Sequence, residues 1–542
     1  MAQHRPKVLT FTLLAVCLMS INGVAWAANV PTGTPLAEQQ ELVRNNGSEP
    51  ASLDPHKVES NVEFNLISDM FDGLVSVNLQ GEIEPRLASS WENKDNTVWT
   101  FHLRPGITWS DGSAITAQDV VWSWQRLVSP QTASPYASYL GNMHVANALD
   151  IALGKKEPAT LGVKALNDTT LEITLTQPTA AFLAMLAHPS LVPLDKVLIS
   201  RFGDKWTRPE HFVSSGAYKL SQWVVNERIV AVRNTHYWDD QHTVIDKVTY
   251  LPISSEAADV NRYKAGEIDI VFSVPVNQFA QLKKTMGDEL RVSPLLSTYY
   301  YQFNTTRAPF NDPRVRRALN MALDKEIIAQ KVMAQGQREA WVISQPEIGG
   351  VKLHAPEYAA WPRDKRIAEA KKLLAAAGFG PEHPLSLNLL YNTFETHQRI
   401  AIAASSMWKK NLGVEVKLQN QEWKTMLDTM HTGNFDVVRY AWIADYDDAS
   451  SFLNIFRTGD SENTTKYSNP AYDEAMLNAA RAGSLDERGK YYQQAEDILG
   501  EDVPAIPVYH YVHTHLVKPW VGGFAPDNRG NYYTKDMFIK KH

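Results

Sequence analysis

A single cysteine, Cys17, serves a chain of 542 residues, and it lies in a segment that the sequence marks for removal. "MAQHRPK" is short and basic, "VLTFTLLAVCLMSI" is apolar, and Ala25-Trp26-Ala27 supplies small residues before Ala28. That order is the pattern of a cleaved secretory signal. The apolar run falls short of the roughly 20 residues that a bilayer span needs, and the bulky Val16 before Cys17 fits lipoprotein processing poorly. The mature chain, starting near Ala28, is then expected outside the cytoplasm, in the periplasm, without a thiol. With no disulfide available, its stability must come from core burial, which this length permits. Removing Arg5 and Lys7, with no acid, takes the net charge from −7 to −9. A mildly acidic chain without a basic tract argues against a nucleic-acid partner. The length itself calls for two or three domains.

The first half alternates short strands with turns. In "TVWTFHLRPGITWSDGSAITAQDVVWSWQRL", Trp99, Phe101 and Leu103 alternate with polar residues, and Pro105-Gly106 and Asp111-Gly112 are turn dipeptides. Thr116 and Asp119 form an N-cap pair ahead of a helix. "GAYKLSQWVVNERIVAVRN" predicts two strands about a turn at Asn226-Glu227, and "VNRYKAGEIDIVFSVP" predicts a helix running into a strand. The second half is more regular. Asp312 caps a helix with Pro313 in its first turn, and "DKRIAEAKKLLAAAGFG" is a helix closed by Gly378. Helices alternating with the β-branched strands "LSLNLLYN", "VEVKLQN" and "FDVVRYAWIA" predict an α/β domain with a largely parallel sheet.

One ribbon raises a chemical question. "FDVVRYAWIADYDDASSF", residues 435–452, reads as a buried strand, yet carries Arg439 and then Asp445 six positions on. Buried charges need partners. The two could form a structural ion pair, or each could hold a group elsewhere. Asp445, Asp447 and Asp448 lack the turn glycine and terminal Glu of a calcium loop. His510, His513 and His515 in "YHYVHTHLV" offer no evident third metal ligand at close spacing, and read as ordinary surface histidines. The chain has no Gly-x-Ser-x-Gly elbow, no His-Glu-x-x-His and no phosphate-binding glycine loop. No enzyme, cofactor or metal site is therefore expected.

Longer blocks carry a resemblance. "ASSWENKDNTVWTFHLRPGITWSDGSAITAQDVVWSW" (88–124) and "PFNDPRVRRALNMALDKEII" (309–328) resemble signature regions of the peptide/nickel family of extracytoplasmic solute-binding proteins. "SLDPHKVE", "TASPYASYL", "WVVNERIV", "LLYNTFETHQRIAIAASSMWKKNLGVEVKLQNQEWKT" and "LVKPWVGG" look like the oligopeptide-binding members of peptide ABC transporters, and several blocks are closer still to the murein-tripeptide-binding branch. The resemblance implies an α/β, bilobed periplasmic-binding-protein fold with mixed sheets and three domains, the ligand enclosed between the lobes. It places a signal peptide at 1–27 and a lobe 1 core at 28–71, 196–296 and 513–542. An additional domain spans 72–195, and lobe 2 spans 297–512. It implies a monomer that captures short peptides, oligopeptides or murein tripeptide, and delivers them to a membrane permease. Glutathione, haem or nickel are the alternative solutes of the family.

A free peptide presents an ammonium, a run of amides and a carboxylate. An extended peptide can pair with a strand edge while its side chains enter pockets. By resemblance Asp445 is the ammonium-binding Asp and Arg439 a carboxylate-binding Arg. Ala441 and Ile443 would offer backbone groups, and Trp442 and Trp423 would line side-chain pockets. Glu59, Tyr136, Asn392, His397, Tyr300 and Tyr511 fall at other pocket positions. Two departures stand out. Met430 occupies a position where many relatives have a second Arg, and Ser297 and Ile443 replace a disulfide pair of some relatives.

Overall fold

The structure is a computed structural model and describes residues 28–542; the expected signal peptide, 1–27, lies outside the described residues. Three sheets organise the chain. The first has four strands, Glu41–Asn45, Lys247–Leu251, Arg228–Arg233 and Tyr218–Val224, in that spatial order. Its first pair is parallel and the others antiparallel. The hairpin turns at Asn226, whose φ of 59° is left-handed, a conformation Asn tolerates. The second sheet is a four-stranded antiparallel unit of Ala88–Lys94, Val98–Leu103, Thr170–Thr174 and Val163–Asn167. Its alternation buries Trp99, Phe101 and Leu103. The helix Ala117–Val128 packs on it, started by a reciprocal capping box in which Thr116 N–H donates to Asp119 at 2.8 Å.

The third sheet has six strands in the order Arg338–Glu339, Ala505–Leu516, Leu290–Phe303, Val437–Ile443, Ser386–Asn392 and Glu415–Gln421. The expected parallel pairing holds only among the last three. The others are antiparallel because two long strands, Leu290–Phe303 and Ala505–Leu516, run into and out of this half of the chain in opposite directions. At their far ends they join the first half: Val271 N–H donates to Leu516 C=O and Lys518 N–H to Asp269 C=O. Their ladder breaks between Pro294 and Thr298, where proline has no N–H to give. Such a bulge in two connecting strands is where a bend costs least.

Other expectations needed correction. The segment after the helix Glu256–Lys264 forms no regular strand; Ile270 makes only isolated bridges to Arg44 and Val517. Asp269 accounts for part of this, since its carboxylate takes the Val43 N–H that a strand neighbour would otherwise pair. The three histidines are not surface residues either. His510 and His515 are buried, with ring nitrogens bonded to Thr298 and the Val271 carbonyl. Burial holds His510 and His515 at about 3 and His513 at about 4. Among the described residues no group of three or more His, Cys, Asp or Glu side chains could hold a metal ion, and no helix is long and apolar enough to cross a membrane.

Candidate functional site

A cavity of about 270 Å³ lies between the six-stranded sheet and segments of the first half of the chain, among them 59–64, Tyr136 and 187–189. The residues assigned above line it, with one exception: Glu59, Tyr136, Asn392, His397, Trp423, Arg439, Ala441, Trp442, Ile443, Asp445 and Tyr511 do. Tyr300 does not. It lies opposite Tyr440 in the ladder, its ring edge-on to Tyr440 and against Phe456. Tyr440 takes the place at the cavity wall and donates its hydroxyl to Glu59 at 3.3 Å.

The strand Val437–Ile443 supplies the central wall. On one side it pairs with Leu290–Phe303 throughout. On the other, Ser386–Asn392 pairs only with Val437 and Val438, so the edge is free from Arg439 onward. The ladder is bounded by two bonds, Asn304 N–H to Asp436 C=O and Ala444 N–H to Leu296 C=O. Antiparallel pairs alternate between bonded and non-bonded positions. Even-numbered residues of this strand therefore bond inward, while Arg439, Ala441 and Ile443 turn their backbone N–H and C=O towards the free edge.

At one end of that edge sits Arg439, buried at 6% exposure. Its Nη2 donates to the Tyr511 hydroxyl at 2.6 Å and its Nη1 to Asn392 Oδ1 at 3.2 Å, and the guanidinium lies 4.7 Å from the Tyr299 ring centre. Nε has no acceptor, and among the described residues no carboxylate lies within ion-pair distance. His397 stands beside it. Burial, and then the charge of Arg439, push that imidazole well below its ordinary value, so it is neutral.

At the other end sits Asp445, just past the strand. Its N–H donates to Ser451 Oγ at 2.8 Å, and its C=O accepts from Arg529 Nη1 at 2.9 Å. These two bonds fix the backbone and leave the carboxylate free to turn inward. Tyr136 donates its hydroxyl to Oδ1 at 3.2 Å. His188 Nε2 lies 3.4 Å from the same oxygen without completing a hydrogen bond. His188 Nδ1 accepts the Ser190 N–H, which leaves Nε2 to carry a proton facing the carboxylate. No Lys or Arg pairs with Asp445 among the described residues. Asp447 and Asp448 point elsewhere, to the Gly349 N–H and to Ser450 and Tyr492.

Arg439 and Asp445 are thus not an ion pair. Between them, the indole N–H groups of Trp423 and Trp442, His397 Nδ1 and Ser297 Oγ are all buried at the cavity without protein partners. Such a concentration of unpaired donors and acceptors is costly unless something polar meets them. Trp423 stacks parallel to Tyr440 at 6.2 Å, and so forms a wall that is flat and apolar apart from its N–H. Met430 is fully buried, one residue before His431. Ser297 and Ile443 are ladder partners, the register that a crosslink at these positions would need.

Sequence reasoning missed His188, His431, Tyr440 and Arg529. His431 Nε2 contacts both oxygens of Glu59, at 3.0 and 2.9 Å. His188 and Arg529 meet Asp445 from far along the chain, and no local pattern marks them. Tyr440 was within reach, because it alternates with Arg439 on a strand already singled out.

Comparisons with known proteins identify the family of the chain. Residues 82–464 match the family described as bacterial extracellular solute-binding proteins, family 5 middle. The chain is 52% identical to the periplasmic oligopeptide-binding protein OppA of Salmonella typhimurium over 520 residues, 96% of each chain. It is 45% identical to the periplasmic murein peptide-binding protein MppA of Escherichia coli, covering 98% of this chain and 99% of that one. The structure of Haemophilus influenzae OppA in complex with RPPGFSPFR, 44% identical, superposes with a TM-score of 0.91, covering 93% of this chain and all of that one. One structure of the E. coli murein tripeptide-binding protein gives 0.92, covering 94% of this chain and 100% of that one, and its unliganded open form gives 0.65, covering 94% and 99%. The arrangement of the two lobes is therefore nearer that of the peptide complex than that of the open form.

Proposed function

The chain belongs to the bacterial extracellular solute-binding proteins of family 5, and from that premise we propose that it captures short peptides between two closing lobes for an ABC importer. The observation that carries the reading is the free strand edge from Arg439 to Ile443, bounded by a buried cation without an acid and a carboxylate without a fixed cation. In this reading Asp445 holds the peptide ammonium as a charge-assisted pair. Ala441 and Ile443 pair with the peptide backbone as an added strand does, and Arg439 holds a carboxylate. Trp423, Trp442, Glu59, Tyr136, Asn392, His397 and Tyr511 surround the side chains, and the roomy aromatic walls favour tolerance over selection.

We infer a division into lobes whose boundaries cross the two connecting strands, Leu290–Phe303 and Ala505–Leu516. Residues 28–71, 196–296 and 513–542 form lobe 1, with 72–195 packed on it as an additional domain. Residues 297–512 form lobe 2, and the ladder break between Pro294 and Thr298 serves as the hinge. The mature protein, released after Ala27, works in the periplasm as a monomer. It delivers the peptide to a membrane permease and performs no chemistry on it. A second reading, specific binding of murein tripeptide, is favoured by the similarity to MppA. Here Met430 provides no second cation for the extra acid of that ligand.

The deciding experiment is mass spectrometry of small molecules released from protein purified out of its native host. A mixture of short peptides is expected. One diaminopimelate-containing tripeptide in place of the mixture would select the murein reading, and bound metal or haem would sink both.

A further inference from the structure

Behind Asp445 and Tyr136, a second set of contacts joins the two lobes. Ser138 N–H donates to Ser461 Oγ at 3.1 Å, and Ser461 N–H donates to Ser138 Oγ at 2.9 Å. One turn later Asn142 Nδ2 donates to Asp460 Oδ2 at 2.9 Å, while Arg457 Nη1 donates to Asn142 Oδ1 at 2.9 Å. Ser138 and Asn142 belong to the unit built on the antiparallel sheet; Arg457, Asp460 and Ser461 belong to the opposite lobe. None of the five lines the main cavity, although Asn142, Asp460 and Ser461 line a smaller pocket that shares Tyr136, Trp442 and Asp445 with it.

The lobe 2 half is built in advance. Asp460 N–H bonds back to Arg457 C=O at 3.1 Å, and Gly459 within that turn has φ of +78°, the left-handed conformation a type II turn requires at that position. Asp460 Oδ1 accepts the Glu462 N–H at 3.0 Å, and Thr458 N–H is held by Asp473 at 2.9 Å. The other half is held by its own backbone, where Asn142 N–H bonds to Ser138 C=O at 2.9 Å. Two rigid, mutually complementary polar surfaces thus meet only when the lobes are shut.

We propose that Ser138 and Asn142, engaging Arg457, Asp460 and Ser461, form a latch that holds the lobes closed and sets the affinity of every solute from outside the main cavity. The inference rests on the two-lobe division and not on the identity of the solute. Energy stored in the latch adds to the stability of the closed form, and a ligand that binds only that form gains affinity in proportion to its population. Asn142 is the principal positioning residue, because its amide bridges a cation and an anion that are otherwise apart.

The test uses the mature chain labelled for single-pair energy transfer at Val197→Cys and Ile402→Cys. These positions are 76% and 53% exposed on opposite lobes, and the only native cysteine, Cys17, is in the leader. Closed populations are read without peptide, then with tri-alanine and penta-alanine. Asn142→Ala should lower the closed population in the absence of peptide and weaken both peptides by one common factor, roughly tenfold, through faster dissociation. Ser138→Ala, which deletes one acceptor, should do the same to a smaller degree. The melting temperature of the peptide-free protein should not move. Unequal losses for the two peptides, an unchanged closed population, or a fall in the peptide-free melting temperature would each overturn the latch. If the wild type binds neither peptide while its closed population still depends on Asn142, the latch stands and the peptide reading fails.

Discussion

Arg439 and Asp445 stand at two ends of one strand, yet they are built differently. Every group that touches the Arg439 guanidinium, from Asn392, Tyr511 and Tyr299, comes from the same six-stranded sheet or its edges. The groups facing the Asp445 carboxylate, Tyr136 and His188, come from the other lobe, more than 250 positions away in the chain. The cationic end is therefore assembled within one sheet, whereas the anionic end draws on both sides of the cavity. An incoming peptide can meet the strand edge and Arg439 first. With Asp445 in the proposed ammonium role, the peptide N-terminus would be enclosed only when the second lobe arrives. A site built this way separates capture from commitment.

The largest effect should come from the end that closure completes. Asp445→Ala strands both the peptide ammonium and the donors aimed at it, and losing one member of a buried charge pair costs about 3–5 kcal/mol. Calorimetric titration should show affinity for free peptides falling by that amount, with N-acetylated peptides binding the wild type as poorly as free peptides bind the variant. Equal affinity of the wild type for acetylated and free peptides would remove Asp445 from the ammonium site.

Arg439 gives a smaller and more selective effect. Arg439→Met should cost about 2 kcal/mol, a charged hydrogen bond's worth, and only for peptides whose carboxylate reaches it. Peptide amides should bind the variant and the wild type alike. Because the cation already lies buried without an acid, removing it should leave the melting temperature of the free protein unchanged or raised. A uniform loss across peptides and amides, together with a lowered melting temperature, would make Arg439 structural and break the contrast between the two ends.

Much of this arrangement was legible in the sequence, for definable reasons. The strand carrying Arg439 and Asp445 could be read because two charges on an apolar ribbon violate its local pattern. The caps at Thr116 and Asp312, and the turn at Asn226, follow from short-range chemistry and appear in the structure as expected. What the sequence concealed was pairing at long range. The direction of the Leu290–Phe303 and Ala505–Leu516 strands depends on where the chain comes from and returns to, which β-propensity does not encode. Tyr300 differs from its neighbours Tyr299 and Tyr301 only in the side of the sheet it faces, and assigning that side required the register. His188 precedes Pro189 in an ordinary turn, and only the folded chain brings it to Asp445.

The third prediction concerns the other point where closure joins titratable groups. Glu59 and His431 meet across the cleft, and although burial opposes it, the bond to Glu59 and its negative charge raise the His431 imidazole above its ordinary value of 6.5. Glu59 also faces the Tyr440 hydroxyl, with Glu462 nearby, whose carboxyl is pushed well up by burial and by Glu59, Asp460 and Asp445. Lys466 works against the shift and Asp428 favours it, both at a distance. In the open protein His431 loses Glu59 and returns towards 6.5, so closing takes up a proton. The contribution is fully present below 6.5 and fades as pH rises through the raised value of the closed form. Peptide affinity should therefore weaken modestly from about pH 6.5 upward, the side chain of His431 being partly open to water, which screens the pair. Glu59→Gln, which keeps the shape and removes the charge, should flatten that dependence while leaving the preference for a free ammonium intact. A slope that survives Glu59→Gln would assign the proton to another group and leave Asp445 as the one place where closure and charge are coupled.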